Sequence, residues 1–115
     1  MPVEKWSDSV VVVRLADNPH VGDDLNALDA ALQQRRLDAV VDFSGVKMIN
    51  STSLAKLIKI RRHMNAAESR LLLCGVNDNV WGAFLVTNLD KLFEFMDDVP
   101  TALAALQIKA GHRQG

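Results

Sequence analysis

Short runs of consecutive apolar residues alternate along the chain with longer segments in which apolar residues recur every three or four positions. The runs occupy residues 9–15 (SVVVVRL), 38–43 (DAVVDF) and 70–74 (RLLLC). Such runs, the first of them rich in β-branched valine, are typical of strands buried on both faces of a sheet. Residues 3–6 are expected to pair with the first run as a hairpin that turns at Ser7 and Asp8, and residues 92–95 are a further candidate strand.

The segments with helical spacing lie between these runs and at the end of the chain. They cover residues 23–35, 50–66, 77–87 and 99–106. Asp23 is expected to cap the first helix, and Asn77 or Asp78 to cap the third. The second helix begins at residues 50–53 (NSTS), whose side chains are of types that accept hydrogen bonds from the free amides of a first turn.

The resulting element order is β-β-α-β-α-β-α-β-α, which favours an α/β fold. We expect a mixed, mostly parallel sheet of about four or five strands, with about four helices packed mainly on one side. A chain of 115 residues is long enough for one domain, which we assign to residues 1–108. Residues 109–115 form a polar tail that is expected to be disordered.

Composition and charge exclude several classes of function. The chain has 13 Lys and Arg against 14 Asp and Glu, a formal net charge of -1, so no strong field favours nucleic acid as a partner. The apolar runs are far shorter than the ~20 residues of a membrane span, and the first residues contain no apolar signal core. These features predict a cytoplasmic protein that does not insert into a membrane.

Residues that commonly carry catalysis or bind metals are sparse. Cys74 is the one cysteine, and His20, His63 and His112 lie far apart with no spacing typical of metal ligands. The chain contains no Walker loop, no GxSxG and no GxGxxG motif. We therefore expect no enzymatic activity, no metal and no cofactor, and we interpret Cys74 as a small core residue.

The most specific pattern is DFSGVKMINSTSL, which joins the second apolar run to the second helix. It resembles the STAS domain, which is shared by bacterial anti-sigma factor antagonists and the cytoplasmic tails of sulphate transporters. The matching positions are Asp42, Ser44, Val46, Ile49, Ser51, Thr52 and Leu54. The likeness extends over residues 9–106. Two positions depart from the family pattern: Asn50 stands where the family has Asp, and Ser53 where it has Gly.

The resemblance implies a switch between partners. In the antagonists, a serine at the start of this helix is phosphorylated by a partner that is both a serine kinase of the histidine-kinase-like ATPase type and an anti-sigma factor. A phosphatase resets the cycle. By position the acceptor is Ser51, with Thr52 as the second candidate, and Asp42, Ser44, Asn50 and Ser53 flank it.

A plainer interpretation of Ser51 and Thr52 is that they only cap the helix. The two roles are compatible, because a phosphate adds about −1.5 to −2 charges and meets free amides and the positive dipole end at a helix N-terminus. The folded domain should therefore tolerate the phosphate. A partner that covers the same place should not.

Two other groups of residues are candidates for partner binding. Lys56, Lys59 and His63 share a face of the second helix, which is either a solvated face or a contact stripe for an acidic partner. Trp81 and Leu85 lie one turn apart on the third helix, where they either extend the core or mark a protein contact.

Two further functions remain open. Small STAS-like proteins also serve as cytoplasmic subunits of lipid-transporting ABC systems, where the start of the second helix packs on the ATPase. A third interpretation is a scaffold module that associates with itself, for example as a homodimer.

Overall fold

The structure is a computed structural model that describes the backbone of residues 3–112 and the side chains of residues 3–107. Its strands are Val3–Lys5 (β1), Val10–Arg14 (β2), Asp38–Asp42 (β3), Leu71–Cys74 (β4) and Glu94–Met96 (β5). They form one five-stranded sheet in the order β1-β2-β3-β4-β5. The pair β1–β2 is the predicted antiparallel hairpin, and the pairs from β2 to β5 are parallel. The expected mixed, mostly parallel sheet is confirmed.

Helices cover both faces of the sheet unequally. They are Val21–Gln34 (α1), Ser51–Ala66 (α2), Asp78–Val86 (α3) and Val99–His112 (α4), with a short 3-10 turn at Leu89–Lys91. Buried residues of α1, α2 and α3 form the larger core with one face of the sheet, while Ala102 and Leu106 of α4 pack on the other face. The expected arrangement, with helices mainly on one side, is confirmed.

The valine run of β2 explains how one strand serves both cores. Successive side chains of a strand point to opposite faces. Val11 and Val13 accordingly lie in the larger core, and Val10 and Val12 lie in the core beneath α4. β2 and its parallel neighbour β3 are therefore covered on both faces, as an uninterrupted apolar run predicts.

The structure corrects the predicted starts of α1 and β5. α1 begins at Val21 rather than at Asp23, and its N-cap, His20, makes no side-chain cap hydrogen bond. β5 begins at Glu94 rather than at residue 92, because a left-handed Asn88 (φ 60°) and the 3-10 turn delay the return of the chain to the sheet. Asn tolerates this left-handed conformation better than most residues.

The last helix is longer than its sequence pattern predicts. Pro100 lies in its first turn, where the missing amide hydrogen is not needed, and the helical backbone continues to His112. Residues 113–115 of the predicted polar tail lie outside the described residues, and the domain boundary at residue 108 stays a prediction. Within residues 3–112, no helix has both the length and the apolar character that a bilayer crossing requires.

Candidate functional site

The resemblance motif lies at the carboxyl edge of the parallel strands. The chain leaves β3 at Asp42 and enters α2 at Ser51, and the loops that follow β2 and β4 emerge at the same edge. We call residues 46–49 the approach segment, because they lead the chain to Ser51. In open α/β sheets this edge is the usual place for ligands and partners to bind.

The N-cap of α2 is Asn50, not Ser51. The Asn50 Oδ1 accepts a hydrogen bond from the Ser53 amide at 2.9 Å, and the Asn50 carbonyl accepts one from Leu54 at 3.0 Å. Asn and Asp are about equally good N-caps, so the family's acidic residue can be replaced here without loss of the cap. Ser51 is the first helical residue, and the interpretation of Ser51 as the cap is wrong.

The three hydroxyl residues of this first turn differ in accessibility. Ser51 and Thr52 are exposed, whereas Ser53 is 3% exposed and lies at the position where the family has Gly. A modifying enzyme can reach a hydroxyl only if the side chain is at the surface. The exposure of Ser51 and Thr52 is thus compatible with their predicted role as acceptors, which stays a prediction.

The loop after β2 fastens the approach segment from one side. The Asp17 carboxylate accepts hydrogen bonds from the amides of Asn18 at 2.9 Å and Lys47 at 3.1 Å. The Asn18 side-chain amide donates to the Met48 carbonyl at 2.9 Å. Sequence reasoning missed both residues, although Asp and Asn are the side chains that most often bond loop backbone.

The loop after β4 fastens the same segment from the other side. The Asn77 side-chain amide donates to the carbonyls of Val46 at 3.1 Å and Lys47 at 3.3 Å. Its Oδ1 accepts the Val80 amide at 2.8 Å and so caps α3, as predicted. One asparagine therefore links the start of α3 to the segment that positions Ser51.

Asp42 and Ser44 shape the turn that leaves β3. The Asp42 Oδ1 accepts the Ser44 amide at 2.9 Å, and its Oδ2 lies 4.0 Å from the Nε of Arg14. The same Oδ1 would lie 2.8 Å from a Cβ added to Gly75, whose φ of +70° is left-handed. A side chain at Gly75 would therefore be strained and would collide with the turn.

Two ionisable groups near this edge have shifted pKa values. Hydrogen bonds from the Lys47 and Asn18 amides hold the pKa of Asp17 below its ordinary value of 3.8. Burial, assisted by the nearby Asp42 charge, raises the pKa of Cys74 to about 12. A thiol that stays protonated is a poor nucleophile and metal ligand, which agrees with the interpretation of Cys74 as a core residue.

The Asp17 hydrogen bonds predict a pH-dependent stability. Because the folded-state pKa is depressed, the contribution of Asp17 is complete above about pH 4 and is lost as the pH falls through the folded-state value. Thermal unfolding of an Asp17→Asn variant between pH 7 and pH 2.5 should show a shallower loss of stability on the acid side than the parent chain. A change of the exposed carboxylate Asp97→Asn serves as the control. Identical pH slopes for the parent and Asp17→Asn would contradict the prediction.

The face of α2 that carries Lys56, Lys59 and His63 lies along α1. The Lys59 Nζ is 3.8 Å from the Asp29 carboxylate, and the His63 Nε2 is 3.2 Å from the Leu32 carbonyl. The Lys56 Nζ is 3.2 Å from where a Cβ on Gly22 would lie. α1 and α2 therefore contact each other along this face, although the Lys59 side chain remains 75% exposed. A role of the three residues in partner binding stays a prediction.

Trp81 and Leu85 differ in burial, and their role in partner binding stays a prediction. The Trp81 ring is half-buried and packs edge-on against Phe95, with centroids 4.9 Å apart. Leu85 is exposed, next to Val86, which is 87% exposed. Met48, which is not among the residues that the sequence analysis proposes for partner binding, is 63% exposed within the approach segment.

The described residues contain no group of three or more His, Cys, Asp or Glu side chains that could hold a metal ion. The chemistry at the carboxyl edge is instead that of an exposed hydroxyl on a firmly held helix start. Such a site can bind a protein surface and accept a charged group.

Comparison with known families agrees with the motif. A family model described as "Mlab, STAS domain" matches residues 4–96. Because this match covers most of the chain, the protein belongs to the STAS domain family. A comparison with curated protein sequences finds no match.

Solved structures share the fold over nearly the whole chain. A STAS domain anti-sigma factor antagonist from Planctomyces limnophilus has a TM-score of 0.78 at 18% identity, covering 91% of this chain and 97% of that one. A variant of RsbS from Moorella thermoacetica has a TM-score of 0.78 at 20% identity, with 96% and 99% covered. Phosphorylated SpoIIAA of Bacillus has a TM-score of 0.70 at 18% identity, with 90% and 96% covered. At identities this low, the structural matches establish the fold alone, which is the STAS fold.

Proposed function

We propose that this STAS protein acts as an anti-sigma factor antagonist. It binds an anti-sigma factor that is also a serine kinase, through the start of α2 and the approach segment, and phosphorylation of Ser51 dissociates the complex. The observation that carries the proposal is the exposed Ser51 at the first position of a helix that Asn50 caps independently.

The cap by Asn50 matters because the stability of the helix start then does not depend on Ser51, the proposed phosphorylation site. The Asn50 side chain occupies the capping position, so the Ser51 hydroxyl is not needed to hold the first turn. A phosphate on Ser51 would meet the positive end of the α2 dipole and cost the domain little. In a complex the same phosphate would be desolvated or repelled. A cost of about 3–4 kcal/mol corresponds to a few hundredfold in affinity, enough for a switch.

Relatives of the same fold support this mechanism. SpoIIAA is an anti-sigma factor antagonist whose structures include an unphosphorylated and a phosphorylated form. By this analogy the present chain is a substrate and a ligand rather than an enzyme, it works in the cytoplasm, and a phosphatase restores the unphosphorylated state.

A second candidate function is that of a cytoplasmic subunit of a lipid-transporting ABC system. Asn50 and Ser53 favour it, because they stand where the family pattern has Asp and Gly. In this case the start of α2 and the exposed Met48 would pack on the ATPase without a phosphate cycle. A self-associating scaffold is the third candidate, and one structural relative belongs to the stressosome, a signal integration hub.

The identity of the binding partner distinguishes these functions. We expect the purified chain, immobilised on a resin, to retain a histidine-kinase-like ATPase from a lysate of the source cells. The same pair should then associate when both are purified, and the kinase with ATP should phosphorylate Ser51. Retention of an ABC ATPase instead would establish the second function. A concentration-dependent dimer or larger assembly by light scattering, without any ATPase, would favour the scaffold.

A further inference from the structure

A groove crosses the amino-terminal edge of the parallel strands, opposite the edge that carries Ser51. One cavity of about 550 Å³ lies at the starts of β3, β4 and β5, and a second of about 270 Å³ lies between the β1–β2 turn and α4. Ser9, Asp38 and Leu106 line both cavities, so the two adjoin at these residues. We call the two adjoining cavities together the basal groove. Its larger cavity is in the size range of small-molecule sites, ~300–1,000 Å³.

Three arginines line the larger cavity, and one of them is neutralised within the fold. The Arg70 guanidinium forms two hydrogen bonds to the Glu94 carboxylate, at 3.0 Å and 2.7 Å. Its backbone amide donates to the Asp38 carboxylate at 2.7 Å. Arg70 is thus committed to holding the groove together and is not available to a ligand.

Arg36 and Arg61 are held in place without being neutralised. An Arg36 Nη2–H donates to the Glu68 carbonyl at 3.1 Å, and the Arg61 Nε–H donates to the Leu92 carbonyl. In the part of the chain with described side chains, neither guanidinium forms an ion pair. Each guanidinium has five N–H donors, and one carbonyl occupies only one of them. Both groups therefore present oriented donors and full charge to the cavity.

The other end of the groove has an apolar side. Trp6, Val10, Leu103 and Leu106 line the second cavity together with the polar residues Ser7, Ser9, Asp38 and Gln107. The Trp6 side chain is 58% exposed, although an indole ring gains much from burial against an apolar ligand. The basal groove thus places two positively charged donors in one cavity and an apolar surface in the adjoining one.

We propose that the basal groove binds a small amphiphilic anion. Its oxyanion head, a phosphate or carboxylate, lies between Arg36 and Arg61, and its apolar body extends along Leu106 towards Trp6. Arginine is the side chain best suited to such heads, because its planar fork matches their oxygen atoms. This site is separate from the Ser51 surface and does not depend on the function proposed for it.

The acidic residues of the groove predict how its affinity can be raised. Asp38, Glu68 and Glu94 also line the larger cavity. Glu94 is paired with Arg70 and Asp38 accepts the Arg70 amide, while Glu68 contributes its carbonyl to Arg36. The carboxylates of Asp38 and Glu68 both repel an anionic head, but that of Asp38 also holds the Arg70 amide, so Glu68 is the residue to change. Glu68→Gln should tighten anion binding about two- to threefold.

The test is an NMR titration of the uniformly ¹⁵N-labelled chain with phenyl phosphate, benzoate, inorganic phosphate and benzyl alcohol. The indole N–H signal of Trp6, assigned with a Trp6→Phe variant, reports the apolar end, and Trp81 is an internal control. We expect phenyl phosphate or benzoate to shift the Trp6 signal saturably and to bind about tenfold more tightly than either inorganic phosphate or benzyl alcohol. If both bind, the ratio of their affinities shows which head is preferred.

Matched variants separate the proposed site from general electrostatics. Arg36→Gln and Arg61→Gln should each weaken binding about tenfold, whereas the exposed neighbour Arg62→Gln should leave it unchanged. Folding of each variant is checked in the same spectra. The proposal is overturned if no probe gives a saturable shift, if all three arginine variants lose binding equally, or if benzyl alcohol binds as tightly as the anions.

Discussion

A Ser51→Glu variant is expected to fold like the parent chain and to bind the proposed kinase-type partner a few hundredfold more weakly. Ser51 is exposed at the first position of α2, where a negative charge interacts favourably with the helix dipole by about 0.3–1 kcal/mol. The cap provided by Asn50 remains in place. The loss of affinity arises because the complex must desolvate or repel the new charge, at a cost of about 3–4 kcal/mol.

Thermal unfolding and a direct measurement of the dissociation constant check this prediction together. Ser51→Ala is the uncharged control and should bind as the parent does. Thr52→Glu places the same charge on the adjacent exposed residue and shows how strictly the partner depends on position 51. If Ser51→Ala and Ser51→Glu both bind like the parent chain, Ser51 has no switching role. A strongly lowered melting temperature of Ser51→Glu would contradict the expected tolerance of the fold.

The second large effect is expected from Phe84→Ala, which should lower the free energy of unfolding by about 3–5 kcal/mol. Phe84 is fully buried on α3, at the centre of an aromatic cluster. Its ring meets Phe43, Phe93 and Phe95 edge-on, with centroids 6.4, 5.6 and 5.1 Å away. Alanine would lose these contacts and leave a cavity between α3, the end of β3 and β5.

Urea denaturation followed by circular dichroism measures this loss of free energy. In thermal unfolding, the melting temperature of a domain of this size should fall by roughly 15–30 °C. Val86→Ala on the same helix is the matched control, because Val86 is 87% exposed and its truncation should change stability by less than about 0.5 kcal/mol. A loss below about 1 kcal/mol for Phe84→Ala would mean that the aromatic cluster is not part of the cooperative core.

The local pattern of apolar and polar residues was sufficient to predict the order of strands and helices. The valine run of β2 indicated a strand buried on both faces, and the apolar spacing placed four helices in the correct order. Asn77 or Asp78 was predicted to cap α3, and the structure shows that the cap is Asn77. These features depend on backbone periodicity and on interactions within a few residues, which a sequence displays directly. The predicted ends of helices were less accurate: α1 begins at Val21 without a side-chain cap, whereas the sequence pattern placed a cap at Asp23.

The arrangement around Ser51 depends on contacts between distant parts of the chain. Asp17 and Asn77 each bond the approach segment from 30 residues away in sequence, one on either side of it. Periodicity carries no information about such pairs, because they exist only once parallel strands bring three loops to one edge. The same holds for Lys56, Lys59 and His63, whose spacing defines a helix face but not the helix that this face contacts.

The order of strands and helices, the core-forming residues and the motif before α2 thus follow from short-range chemistry in the chain. The exposure of Ser51 and the burial of Ser53 two residues later follow from tertiary packing. So does the basal groove, which unites residues from both ends of the sequence. The type of each side chain determines which interactions it can make, and the assembly of the sheet and helices determines which side chains come into contact.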